Sequence, residues 1–311
     1  MTFEQFIDEW KNSERCIEAH TSGSTGLPKM ICLDKEFVRA SAIRTNSFFG
    51  LSSESRLHSC VSPDFIGGKM MAVRAIECGG HLTWETPSNR PLQALNSDET
   101  IDLLAIVPSQ MVHILDNIGM MPELRNIIIG GSPIDKRLRN RIIESELSAY
   151  ETYGMTETAS HIALRKIKQE YDWFATLPGI SVDLDERSCL VINFTTGKRF
   201  VTNDLASVRG NNEFRIEGRY DYIIISGGRK INPFDIESRI SELISCPYVV
   251  TSIPDEKWGN MVVLKIECGK GDIDEDKLQD GLQRELRSWE MPKRIMIEAH
   301  LERTPNGKIK R

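Results

Sequence analysis

Through the first two-thirds of the chain, short apolar runs alternate with amphipathic stretches. Glu36 to Phe49 has the spacing of an amphipathic helix, with Asp34 placed to cap it. Arg56 to Val61 reads as a strand. Gly68 to Cys78 reads as a helix stopped by Gly79 and Gly80, and His81 to Trp84 as the next strand. Asp102 to Val107 and Asn126 to Ile129 are apolar and β-branched enough to be buried strands, each followed by a helical pattern. Such alternation predicts βα units and a mainly parallel sheet, whose ligands bind at the carboxyl ends of its strands.

From about Asp183 the pattern changes to short β runs with turns: Ser181–Asp185, Leu190–Phe194 and Glu213–Glu217. A Gly-rich turn follows at Ser226 to Lys230. Asn232 and Pro233 then have the order of a helix cap and first helical residue. Strands near Val249–Ile253 and Val262–Glu267 come next, and a helix near Glu275–Ser288 precedes a last strand. The expected fold is α/β: a large N-terminal domain of sheets flanked by helices, residues 1–218, and a small α+β C-terminal domain, residues 219–311, on a hinge.

Four segments carry chemistry. The first is Thr21, Ser22, Gly23, Ser24, Thr25 and Gly26, followed by Leu27, Pro28 and Lys29. Glycines let backbone N–H groups approach a polyphosphate, and hydroxyls and an ammonium neutralise its charge. It is not a Walker A loop, because Pro28 stands where that pattern needs its second glycine. The bland alternative is a flexible Ser/Gly turn. The second segment is Thr152, Tyr153, Gly154, Met155, Thr156 and Glu157, expected just after a strand. There Thr156 can donate to a phosphate and Glu157 can hold a hard cation. The third pairs Asp204 with Arg219 and Asp221, a set that in isolation is as readily a structural ion pair. The fourth is Thr304 to Lys310, whose bland reading is a frayed tail.

In this order the four segments resemble the adenylate-forming superfamily of acyl-CoA synthetases, amino-acid adenylation domains and luciferases. The resemblance runs from Thr21 to Lys308 and is supported by Gly130 to Pro133 and by Ile225 to Pro233. It implies an ATP-dependent, Mg²⁺-requiring ligase that turns a carboxylic acid into an acyl-AMP and passes the acyl group to coenzyme A. By that resemblance residues 21 to 29 handle the β- and γ-phosphates. Ser132, Thr152 and Tyr153 surround the adenine, Thr156 touches the α-phosphate, and Glu157 holds Mg²⁺. Asp204 takes the ribose hydroxyls with help from Arg219, Asp221 is the hinge, and Gly227 and Gly228 flank the pantetheine. Lys308 closes on the reacting carboxylate.

The acid is less legible. Gly67 opens space and Lys69 puts a cation near the expected pocket, with His161 following the Mg²⁺ segment; a lysine at such a place is more often solvated. Pointing inward, it would suit a second carboxylate on the substrate. The segments around Glu157 and Ile225 resemble those of compact o-succinylbenzoate–CoA ligases of menaquinone biosynthesis, whose substrate is an aromatic dicarboxylate. A general aryl- or acyl-CoA ligase and a free-standing amino-acid adenylating enzyme, with Asp64 meeting the substrate ammonium, are the alternatives. A catalytically dead nucleotide-binding homologue is the reading from another class. The loop begins only 21 residues in, which implies a compact variant, and the chain stops shortly after Lys308, which favours free coenzyme A over a carrier domain.

Composition adds exclusions. A formal charge of −6 offers no basic surface for nucleic acid. No run of 18 apolar residues is present, so no membrane insertion is expected. The seven cysteines are scattered without C-x-x-C spacing, so neither a zinc site nor a disulfide framework is expected, and a reducing cytoplasm fits.

Overall fold

The structure, a computed structural model, describes residues 1–20, 29–169, 171–269, 272–303 and 309–311. Two units are distinguished by their internal packing, residues 1–181 with 194–196 and residues 182–193 with 197–311. The second begins where the sequence pattern changes, near Asp183.

The first unit opens with helix α1 (Phe3–Lys11), started by a reciprocal capping box between Thr2 and Gln5. Phe3, Phe6 and Trp10, spaced along one face, are buried. Strands β1 (Cys16–His20) and β2 (Met30–Asp34) form an antiparallel hairpin in which His20 pairs with Met30. Residues 21–29 therefore lie between two registered strands. Cys16 and Cys32 of this hairpin are joined by a disulfide, contrary to the expectation from cysteine spacing. Cross-strand proximity is created by the fold and leaves no local spacing signature.

Helix α2 (Lys35–Phe49) starts at Asp34, whose carboxylate accepts from the Glu36 and Phe37 N–H groups at 2.9 and 3.3 Å. It is followed by β3 (Arg56–Ser59), α3 (Ile66–Cys78), β4 (His81–Trp84), β5 (Thr100–Ile101), β6 (Leu103–Ile106) and α4 (Pro108–Asp116). Then come β7 (Glu123–Leu124), β8 (Ile127–Ile129), α5 (Lys136–Glu144), β9 (Ala149–Met155), β10 (Ser160–Lys166) and β11 (Phe174–Thr176). Within this unit the sheet order is β11-β10-β9-β8-β6-β3-β4. The five strands from β9 to β4 are parallel, as expected, and β10 and β11 are added antiparallel. Leu104, Ile106, Ile127 and Ile129 bury one face with Met111 and Ile114 of α4 and Leu138 and Ile142 of α5. The alternate residues Leu103, Ala105 and Ile128 are equally buried, so the opposite face also needs cover. Helix α3, packed on β3, β6 and β10 and against α2, supplies it.

The second unit contains β12 (Ile180–Leu184), β13 (Cys189–Phe194), β14 (Arg199–Arg209) and β15 (Glu213–Arg219), with β13, β14 and β15 an antiparallel meander. A hairpin of β16 (Ile224–Ser226) and β17 (Arg229–Ile231) turns on Gly227 and Gly228, at φ of 54° and 76°. A two-residue hairpin turn with both central φ values positive favours glycine at both places. Helix α6 (Pro233–Ile240) starts at Asn232, whose side chain accepts from the Phe234 N–H. Strands β18 (Tyr248–Asp255), β19 (Gly259–Glu267) and β20 (Arg294–Glu298) form a mixed sheet, and α7 (Glu275–Glu285) packs with α6 over its core.

Candidate active site

In the first unit the chemistry gathers at the carboxyl ends of parallel strands. Ser132 is half-buried in the loop after β8. Thr152 and Tyr153 lie within β9 rather than after it, and only Thr156 and Glu157 reach the turn beyond. The Thr152 hydroxyl donates to the Ile129 carbonyl at 3.3 Å. A side chain on Gly130 would stand 2.7 Å from that hydroxyl, so glycine there lets β8 and β9 approach. Strand β10 returns so closely that a Cβ on Gly154 would meet the Ser160 carbonyl at 2.3 Å.

Thr156 is buried, and its hydroxyl lies 3.5 Å from the carbonyl of His20, the residue immediately before the Ser/Thr/Gly segment. The end of β9 and the entry to that segment thus meet in one unit. Glu157 is half-buried, and no hydrogen bond or ion pair engages its carboxylate among the described residues. A partly desolvated carboxylate without a partner suits a hard divalent cation. Lys29 is exposed, one residue before β2. Thr21, Ser22, Gly23, Ser24, Thr25, Gly26 and Lys308 lie outside the described residues.

His161 is fully buried on β10. Its Nε2 is 2.9 Å from the Thr45 hydroxyl, which itself donates to the Ser41 carbonyl, so Nε2 carries the proton. That leaves the Nδ1 lone pair facing Arg74 of α3, 3.5 Å away. Burial first, and then the Arg74 charge, hold the His161 pKa well below its usual value, so the ring is neutral.

Arg74 was not singled out by the sequence pattern, yet it is the most unusual group in the unit. It is 1% exposed, and burial lowers its pKa to about 9, which leaves it charged at neutral pH. Its contacts are neutral: the Ser160 hydroxyl at 2.9 Å, the Met71 sulfur at 3.5 Å and His161. Its Nε has no hydrogen-bond partner, and no carboxylate of the described residues pairs with it. An arginine set in the apolar run from Met70 to Ala75 is the signal that could have marked it.

Lys69 also points into the unit, but it has company. Its ammonium lies 3.6 Å from Glu9 and 4.6 Å from the centre of the Phe6 ring. Burial lowers its pKa, and Glu9 is the leading opposing influence. Gly67 is half-buried, about two turns before Arg74 on the same helix. Asp64 is exposed, 2.9 Å from the Met1 ammonium.

In the second unit Asp204 and Arg219 are direct cross-strand partners on β14 and β15. Arg219 donates to Asp204 at 3.2 Å and to Asp221 at 2.6 Å, and Asn203 donates to the other Asp221 oxygen at 2.9 Å. Burial alone would lower the Arg219 pKa; the carboxylates of Asp221 and Asp204 outweigh it and raise it. Of the C-terminal residues, Arg303 and Arg311, on either side of the undescribed 304–308, are tied to the second unit. Arg311 donates to Glu237 at 2.6 and 2.8 Å, and Arg303 donates to both oxygens of Glu267. Arg303 and Ile309, on either side of the segment that holds Lys308, pair as a β-bridge.

The sequence profile described as AMP-binding enzyme matches residues 7–198. The 2-succinylbenzoate–CoA ligase of Listeria monocytogenes is 30% identical over 99% of the chain and 71% of its own length. The ligase of that name from Bacillus cereus strain Q1 is 24% identical, again over 99% and 71%. Among solved structures, an acyl-CoA synthetase (AMP-forming)/AMP-acid ligase II-like protein from Dyadobacter fermentans is 33% identical with a TM-score of 0.65, covering 98% of this chain and 90% of that one. The o-succinylbenzoate CoA synthetase of Bacillus subtilis, in complex with an acyl-adenylate, shares the fold at a TM-score of 0.82 and 19% identity, covering 94% and 67%.

Proposed function

The chain belongs to the AMP-binding enzyme family, and on that premise we propose that it activates a carboxylic acid with ATP and transfers the acyl group to coenzyme A. The observation that supports this reading is the meeting of the β9 turn with His20, the residue that precedes the Ser/Thr/Gly segment in the sequence. There the Thr156 hydroxyl lies beside His20, and the Glu157 carboxylate has no partner among the described residues. A carboxylate is a poor acyl donor because oxide would have to leave. Its attack on the α-phosphorus, with pyrophosphate departing, makes AMP the eventual leaving group. Charge spreads over the phosphoryl oxygens as this happens, so the work of the protein is positioning and neutralisation.

In this reading Thr21 to Gly26 and Lys29 hold the β- and γ-phosphates. Ser132, Thr152 and Tyr153 bound the adenine, and Thr156 donates at the α-phosphate. Glu157 holds Mg²⁺, which supplies positive charge to the phosphates when bound. Asp204 and Arg219 take the ribose. Residues 1–218 do the binding and 219–311 bring Lys308 to the reacting carboxylate, with Asp221 as hinge and Gly227 and Gly228 beside coenzyme A. Its site of action in this reading is the cytoplasm.

The substrate we propose is o-succinylbenzoate, the acid in the names of the curated relatives. The buried Arg74 supports a dicarboxylate. A desolvated guanidinium among neutral groups gains most from an anionic ligand, and a second carboxylate would provide it. Gly67 and His161 border the same space in this assignment, while the Lys69 charge is met by Glu9. The exposed Asp64 gives no support to an amino-acid substrate. The test is ATP–pyrophosphate exchange with o-succinylbenzoate, benzoate, a fatty acid and an amino acid. Exchange dependent on o-succinylbenzoate and lost in Glu157→Ala is expected. Exchange driven best by a monocarboxylic acid would reject the substrate, and none with any acid would reject the activity.

A further inference from the structure

The parallel strands β3 and β4 end on a second cluster that the adenylation chemistry does not use. His58 and Cys60 are two residues apart and so face the same side of β3 and its extension. They are 2% and 1% exposed. Glu85 directly follows β4, with its N–H on the Ser59 carbonyl. One ligand-capable atom from each, the His58 ring nitrogen, the Cys60 sulfur and a Glu85 oxygen, all lie within 4.8 Å of one another.

The hydrogen bonds around His58 decide which nitrogen faces the cluster. Its Nδ1 lies 2.8 Å from the Thr83 hydroxyl, which itself lies 3.4 Å from the Leu57 carbonyl as a donor. With the hydroxyl proton directed to Leu57, Nδ1–H donates to Thr83, which is the tautomer a metal on Nε2 requires. Nε2 is left with its lone pair, fully buried and without a hydrogen-bond partner. The nearest Glu85 oxygen is 3.9 Å away, too far for a hydrogen bond. A lone pair facing a carboxylate across that gap, with the Cys60 thiol beside both, is an arrangement that a cation can bridge. The surroundings are equally fixed. The Leu92 N–H donates to both Glu85 oxygens, at 3.1 and 3.0 Å. Gln110 ties the Cys60 carbonyl to the Ser88 carbonyl, each at 3.0 Å.

We propose that His58 Nε2, the Cys60 thiolate and the Glu85 carboxylate bind a borderline-soft divalent metal ion, Zn²⁺ foremost, with a fourth position open to water. Ligands of a tetrahedral zinc stand about 3.3–3.8 Å apart, so closing the site needs shifts of about 1 Å or less. One nitrogen, one sulfur and one oxygen donor suit Zn²⁺ and exclude Mg²⁺ or Ca²⁺, which take oxygen ligands in larger number. Binding releases the Cys60 proton to solvent as the sulfur–metal bond forms. Thr83 is a positioning residue, fixing the ring through Nδ1 as outer-shell partners of metal-bound histidines do. The ion would join the carboxyl ends of β3 and β4.

Co²⁺ titration of the chelator-treated full chain tests this, with Zn²⁺ competition. A thiolate-to-cobalt charge-transfer band, displaced by Zn²⁺, is expected in the wild type. It should be absent in Cys60→Ser and retained when Cys246 and Cys268, the neighbouring thiols of the second unit, are both changed to serine. Thr83→Val should weaken Zn²⁺ binding about 10–100-fold, with Thr83→Ser restoring it; this pair decides the matter if Cys60→Ser does not fold. A band that survives in folded Cys60→Ser, unchanged affinity in Thr83→Val, or a folded wild type that takes up neither ion overturns the proposal.

Discussion

Replacing Arg74 by methionine separates a structural arginine from one that awaits a substrate carboxylate. In the folded chain its guanidinium meets only neutral groups. Removing a buried charge in favour of an apolar residue of similar volume is neutral or stabilising by about 1–4 kcal/mol. Leaving the Ser160 hydroxyl and His161 Nδ1 without their donor costs about 1–3 kcal/mol each. The two nearly offset, so Arg74→Met should fold with a stability within about 2 kcal/mol of the wild type. Substrate recognition should behave differently. Truncating one member of a desolvated charge pair costs about 2–5 kcal/mol, or roughly 30- to 5,000-fold. The assay is kcat/KM in ATP–pyrophosphate exchange for o-succinylbenzoate and for an analogue lacking the non-reacting carboxylate. The dicarboxylate should lose by that factor and the analogue should be nearly unchanged. Arg74→Lys should fall between, since a point charge replaces a planar fork. An equal loss on both acids, in a folded variant, would refute the assignment and leave Arg74 a structural group.

Four further outcomes are expected. Because the folded pKa of His161 is depressed, the unfolded chain takes up a proton near pH 6.5 that the folded chain refuses. Its contribution is complete above that pH and is lost as pH falls, by up to about 1.4 kcal/mol per unit. Urea midpoints at about pH 7.5 and 5.5 should drop more for the wild type than for His161→Gln, and an equal drop would contradict the argument. Gly154→Ala sets a methyl 2.3 Å from the Ser160 carbonyl. It should destabilise by about 1–3 kcal/mol in thermal melts and slow adenylation by moving Thr156, whereas wild-type melting would show that β9 and β10 can separate freely. Lys308→Ala should slow acyl-AMP formation by about 10²–10³ while leaving thioester formation from preformed acyl-AMP nearly intact. Arg303→Ala, which unties Glu267, should reproduce a milder form of that selective loss, and matching losses in both half-reactions would reject the role of Lys308.

Much of the framework was legible because burial on both faces of a parallel sheet writes itself as short apolar runs. The strand at His81–Trp84 is found at the expected bounds, and Asp34, Gly79 and Asn232 cap the helices they were expected to cap. Part of what was missed depends on long-range contact. The β1–β2 hairpin was missed although buried Ile17 and Ala19 alternate with exposed Glu18 and His20, because strands of five residues give too short a pattern. Strand β9 runs through Met155 because β10 pairs with it, a partner no local pattern reveals. Helix α1 was also missed, although Thr2, Gln5 and the spacing of Phe3, Phe6 and Trp10 carry a local signal for it. Arg74 was hidden in plain view: periodicity marks its helix as core, but only the packing shows that no anion came with it.

The Cys16–Cys32 disulfide gives the bench worker a variable to control. It joins residues only 16 apart in the sequence, and such a short ring removes about 3 kcal/mol of freedom from the unfolded chain. Five registered residue pairs from Cys16 to His20 hold the strands besides the sulfur–sulfur bond, so a dithiol in the storage buffer is expected to lower the melting point without erasing the hairpin. Preparations kept with and without reductant are therefore two different samples. Melts and nucleotide titrations from one should not be pooled with those from the other.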